Sequence, residues 1–132
     1  MFVAVVVSAC GSSSSAACVA VTGQTKTSAG SSSGADNYGL GLGSGYIRFS
    51  NLNLTFYTGT AGDEMVDAGT VCLASVTSWP GGTGNRITAV IGDTYIVRFR
   101  TIINGVTTYS YAKFNVDSYQ SGVVTVTYVP SL

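Results

Sequence analysis

The stretch YIVRFRTIINGVTTYSYAKFNVDSYQSGVVTVTYV, residues 95–129, decides the fold. Successive side chains of an extended chain point to opposite faces. Tyr95, Val97 and Phe99 therefore share one face, and Ile96, Arg98, Arg100 and Ile102 share the other. Asn104-Gly105 supplies the two positive-φ residues of a type I′ turn, so Thr107 to Val116 is read as the return strand of a hairpin. Ser118 to Gly122 turns the chain again, and Val123 to Val129 forms a third strand that stops at Pro130. The spacing predicts a three-stranded antiparallel meander rich in β-branched and aromatic residues.

Working outward, Arg86 to Ile91 reads as a strand ended by Gly92-Asp93. Val71 to Val76 reads as another, stopped by Trp79-Pro80-Gly81-Gly82. Thr58 to Gly69 is a polar loop, in which Asp63 to Ala68 has the pattern of one helical turn at most. Tyr46 to Phe49 is a strand. Leu52, Leu54 and Phe56 alternate with Asn53, Thr55 and Tyr57 and predict a half-buried strand. Gly23 to Gly45 is a low-complexity Gly/Ser loop, preceded by a short strand at Val19–Thr22 and a Ser12–Ser15 linker. Phe2 to Val7 is a Val-rich strand whose two faces are both apolar. No window sustains a 3.6-residue period. About eight short strands with turns between them predict an all-β fold, a single β-sandwich of Ig-like or jelly-roll-like type. The organisation is an N-terminal strand and linker (1–22), a Gly/Ser loop (23–45) and a sandwich body (46–132).

Composition narrows the function classes. The chain of 132 residues is one domain's worth, long enough to bury a core without metal or disulfide staples. Charged residues make up 9%, and six basic residues balance six acidic ones. That is well below the ~25% of an average soluble domain. A neutral, charge-poor surface favours association between copies. It offers no basic patch for phosphates, which argues against a nucleic-acid partner. No run reaches the ~18 apolar residues of a membrane span. The 45% hydrophobic content argues against disorder beyond about residue 45.

Little chemistry is legible. With no His in the chain, Ser-His-Asp and Cys-His nucleophile systems are excluded, as are zinc sites built on His. Asp63, Glu64 and Asp67 are the one acidic cluster and the one weak metal candidate. Their spacing fits no EF-hand, and carboxylates in one loop seldom flank a sugar from both sides. A solvated surface loop is the expectation for them. The glycine run from Gly39 to Gly45 lacks the Lys-Ser/Thr end of a P-loop and reads as a pliable or closely packed loop. Asn53-Leu54-Thr55 is a glycosylation sequon, with Asn53 as the acceptor. No catalytic residue and no cofactor is expected, and the chain reads as a non-enzyme.

Three cysteines leave one unpaired or paired between molecules. Cys10 and Cys18 bracket a short Ser/Ala loop and are the candidate disulfide. Cys72 sits in an apolar run and reads as a small buried hydrophobe. Arg98 and Arg100 lie on a mixed face that suits solvent or an interface. Tyr109, Tyr111 and Lys113 alternate on the return strand as a cross-strand ladder, with glycan stacking or surface contact as the second use of that face.

The remaining signal is the N-terminal run. An apolar strand on a tether needs a partner strand, in its own sheet or in the next copy's. An apolar strand, a Ser/Gly tether and a neutral β body together resemble donor-strand pilins and other self-complementing surface filaments. The resemblance implies a homopolymer built by N-terminal strand exchange, extracellular or cell-surface, with Phe2, Val3, Val5, Val6 and Val7 as the assembly strand. Val7-Ser8-Ala9-Cys10, followed by Gly-Ser-Ser-Ser, also resembles the cleavage box of bacterial lipoproteins. It lacks a basic n-region and its apolar run is short. That resemblance implies a surface lipoprotein or adhesive module anchored at Cys10. A virion structural protein is the further alternative.

Overall fold

In a computed structural model the described residues are 24–28, 39–43, 45–51, 53–82 and 84–132. They form nine strands: β1 (Gln24–Ser28), β2 (Gly39–Gly41), β3 (Tyr46–Ser50), β4 (Thr55–Thr58), β5 (Glu64–Gly69), β6 (Arg86–Thr88), β7 (Thr94–Ile103), β8 (Val106–Gln120) and β9 (Val123–Val129). One short 3-10 turn, η1 (Leu73–Ser75), lies between β5 and β6. A five-stranded sheet has the order β1-β9-β8-β7-β5 and a four-stranded sheet the order β2-β3-β4-β6, with every pair antiparallel. The protein is all-β, two sheets around one core, consistent with a sandwich.

The meander is present as β7, β8 and β9. Asn104 and Gly105 have φ of 51° and 76°, so the type I′ turn forms where its residue chemistry allows it. The second turn falls later than its sequence suggested. β8 runs on to Gln120, and Ser121-Gly122, both at positive φ, close the next hairpin. A bulge opposite Thr125/Val126 absorbs Asp117, whose carboxylate accepts the Thr127 hydroxyl at 2.6 Å.

Aromatic rings join the two sheets. Phe49 and Phe56 come from the small sheet, Tyr95 and Phe114 from the large one, and all four are fully buried. Phe114 meets Phe56 edge-on at 5.2 Å and stacks on Tyr95 at 5.4 Å, while Phe49 lies 5.4 Å from Phe56. Offset and edge-on pairs of this kind add to the gain from burying their area. The Tyr95 hydroxyl accepts the Val90 N–H at 2.7 Å, which satisfies its polar end inside the core. Val97, Val116, Val124 and Val126 fill the space around the rings.

Five sequence expectations are corrected. The stretch read as a Gly/Ser loop contributes β1, which pairs with β9, and β2, which pairs with β3. The polar loop at 58–69 contains β5, the edge strand beside β7. Val71 to Val76 is not a strand; it carries η1 and lies over the outer face of the large sheet. The strand expected through Leu54 begins only at Thr55, since Leu54 is a turn residue with φ of 51°. The strand at Arg86 stops at Thr88. The expected strands at Phe2–Val7 and Val19–Thr22 lie outside the described residues.

Candidate functional site

The outer face of the large sheet is covered at one end and bare at the other. At the covered end, the 71–82 segment crosses β7 and β8. The Thr94 hydroxyl donates to the Val71 carbonyl at 2.5 Å, and the Lys113 ammonium donates to the Val76 carbonyl at 2.6 Å. Ile96, expected on a mixed outward face, is buried beneath this cover. The Lys113 amine is held below its ordinary pKa by that burial.

Next along the face, Arg98 lies between two rings. Its guanidinium carbon sits 5.0 Å from the Trp79 centroid and 4.3 Å from that of Tyr109. Its Nη2 pairs with Glu64 across the β5–β7 register. Burial alone would lower the Arg98 pKa, and the Glu64 carboxylate outweighs it, so the net shift is upward. Tyr111 lies 6.1 Å from Trp79. The expected Tyr109–Tyr111–Lys113 ladder is thus built into packing. Arg98 covers one face of Tyr109, and Tyr111 packs beside Trp79.

The acidic cluster does not converge. Glu64 pairs with Arg98. Asp63, buried, accepts the Arg100 backbone N–H at 2.8 Å. Asp67 accepts the Gly69 N–H at 2.7 Å at a bulge in β5. Burial raises the Asp63 pKa against the lowering effect of Arg100. Partial burial also raises that of Asp67, and nearby Asp93 adds to it. Among the described residues no three metal-ligating side chains come together. The solvated-loop expectation is corrected too: two of the three acids organise the β5–β7 edge.

Asn53 is exposed in the β3–β4 turn, where its Oδ1 accepts the Thr55 hydroxyl at 2.5 Å. In the glycine run, a Cβ at Gly45 would stand 2.3 Å from the Phe99 ring, so this glycine is a close-approach residue. Cys72 is buried as expected but is disulfide-bonded, to a cysteine outside the described residues. Phe2, Val3, Val5, Val6, Val7, Cys10 and Cys18 all lie outside the described residues.

At the bare end, β7 and β8 run on together as a two-stranded arm. β5 pairs with β7 only as far as Arg98, and β9 pairs with β8 only from Lys113 onward. Every residue from Arg100 to Tyr109 is exposed. Ile102 is 56% exposed, Ile103 64%, Val106 61% and Tyr109 46%. Neither Thr101–Ile103 nor Val106–Tyr109 has a third strand beside it among the described residues. An apolar ribbon with open edges is a template for adding another strand. The sequence marked this hairpin as a strand pair but gave no sign that its tip would project, since that depends on where the neighbouring strands stop.

A groove of about 460 Å³ beside β5 is lined by Val66, Asp67, Val71, Val76, Pro80 and Ile96. Among the described residues no helix is long and apolar enough to cross a membrane. Compared with known protein families, curated proteins and solved structures, the chain finds no match in any of the three.

Proposed function

We propose that this chain is a structural subunit of a self-assembling extracellular filament or pilus, polymerising through exchange of its N-terminal strand. The observation that carries this reading is the arm, an uncharged apolar ribbon that leaves the body with both edges open beyond Arg100. The segment Phe2–Val7 suits such an edge, because it is uncharged, β-branched and apolar on both faces. Added to an edge of the next copy's arm, it gains main-chain hydrogen bonds and sets its own apolar side chains beside Ile102, Ile103 and Val106. A head-to-tail contact that does not close on itself propagates as a fibre. In this reading the body is an Ig-like or jelly-roll-like sandwich.

The disulfide at Cys72 supports an oxidising, extracellular setting. The other two cysteines of the chain are Cys10 and Cys18.

The test compares the full chain, a Met1–Val7 deletion and an Ile102→Lys/Ile103→Lys variant by sedimentation and electron microscopy. The full chain is expected to form polymers, and both variants are expected to remain folded monomers. Polymers that persist in the deletion with unchanged stability would show that the N-terminal strand is not the assembly element.

A further inference from the structure

The small sheet carries on its outer face a row of three side chains that the fold leaves unexplained. Arg48 on β3 stands opposite Tyr57 on β4, and Tyr57 stands opposite Arg86 on β6. Directly opposed residues project from the same face, with Cβ atoms about 4.5–5.5 Å apart. Their neighbours Phe49, Phe56 and Ile87 turn the other way, into the core. Arg48, Tyr57 and Arg86, with Thr58 and Asn85, line a concavity of about 350 Å³. That volume lies within the range of small-molecule sites.

The charge in this hollow is unbalanced. The described acids are engaged elsewhere: Glu64 with Arg98, Asp63 with the Arg100 N–H, Asp67 with Gly69, Asp93 with Thr70 and Asp117 with Thr127. Arg48 donates one long bond, at 3.5 Å, to the Gly59 carbonyl, and Arg86 is exposed. Among the described residues neither arginine has a carboxylate partner. The whole chain has only six basic residues, so two around one tyrosine is a local concentration. Arg48 and Arg86 stand on the two strands that flank Tyr57, so their positive charges face the same hollow from either side, and an anion set over Tyr57 gains from both.

The residue types define the anion further. Guanidinium groups present planar forks that match carboxylate and sulfate oxygens. Tyr57, half-buried between them, offers a flat apolar ring. Thr58 and Asn85 complete the lining with uncharged polar residues. Two cations are too few to hold a nucleic-acid backbone. No exposed apolar wedge lies among the lining residues to enter a bilayer.

We infer that this hollow is a binding site for an acidic sugar, with its carboxylate on Arg48 and Arg86 and its ring face on Tyr57. The site lies on the other sheet from the arm and is independent of the assembly reading.

The test is an NMR titration of the full chain at low salt with sodium glucuronate, glucose and inorganic sulfate as probes. Glucuronate is expected to shift the amides of Arg48, Tyr57 and Arg86 saturably, and glucose is expected to leave them unmoved. An Arg48→Gln/Arg86→Gln variant is expected to bind glucuronate at least about tenfold more weakly, as loss of charge-assisted hydrogen bonds requires. Arg48→Lys, which keeps the charge and loses the fork, is expected to fall between. Tyr57→Ala is expected to weaken glucuronate severalfold and leave sulfate unchanged. Unfolding midpoints confirm that each variant is folded. Equal shifts with glucose, or full affinity in the double variant, would overturn the site. Sulfate binding as tightly as glucuronate, with no effect of Tyr57→Ala, would overturn the sugar assignment.

Discussion

The root and the tip of the β7–β8 hairpin share one unbroken register, from Thr94↔Asn115 to Ile103↔Val106, and meet opposite environments. At the root, Tyr95, Val97 and Phe114 are buried against Phe56 of the other sheet, and Ile96 is buried under the 71–82 segment. At the tip, Ile102, Ile103 and Val106 are equally apolar and lie in water. Strand pattern sets which face a side chain takes, and the neighbouring elements decide whether that face is covered. Here β5 and β9 both stop short of the tip, so the same ladder is core at one end and surface at the other.

The largest expected effect tests that contrast directly. Phe114→Ala leaves a hole among Phe56, Tyr95 and the valines, and should cost about 3–5 kcal/mol in urea-unfolding free energy. Ile103→Ser, on the same ladder, should change the stability of the monomer by no more than about 0.5 kcal/mol. A comparable loss at both positions would mean that the tip is packed within the monomer, and the contrast would fail.

The root was legible in the sequence for local reasons. Asn104-Gly105 dictates its own turn, and the alternation of Tyr95, Val97 and Phe99 against Arg98 and Arg100 needs no distant partner to be read. β5 was not legible, because Glu64-Met-Val-Asp-Ala-Gly carries acids whose partners, Arg98 and the Arg100 N–H, arrive from β7. Val71 to Val76 misled for the converse reason. Its apolar side chains are buried by lying across a sheet, not by joining one. The Arg48–Tyr57–Arg86 row left no trace in the sequence, since only the register of three strands brings those positions together. The exposed tip had no signal either, because exposure follows from where other strands end.

A middle-sized effect lies at the boundary between root and tip, where Arg98 is held between Trp79 and Tyr109. Trp79→Ala removes the ring on the covered side and the contact with Tyr111. It should cost about 1–2 kcal/mol, the upper range for a partly desolvated cation–π pair. Tyr109→Ala, on the exposed side, should cost about 0.5–1 kcal/mol. Coupling between the two substitutions in a double-mutant cycle would show that Arg98 joins covered and bare surfaces as one unit. Strict additivity would sever them.

The smallest effect is electrostatic and sits at the same boundary. Asp63 caps the β7 edge at Arg100, where the arm leaves the sheet, and burial holds its carboxyl above the ordinary value of 3.8. Between 3.8 and that raised value the folded chain binds more protons than the unfolded chain. Folding stability therefore rises as pH falls through the window and is lost again as pH rises through it. Asp67 shifts in the same direction and contributes with the same sign. Urea midpoints measured in mildly acid buffers should increase toward pH about 4, where an unfolded carboxylate begins to protonate. Asp63→Asn should flatten the slope, because an amide oxygen still accepts the Arg100 N–H at every pH. A midpoint that falls steadily with acid, and does so equally in the variant, would mean that Asp63 is ionised and well solvated at the arm's root. The open edge of the arm would then begin one residue earlier, at Arg100 itself.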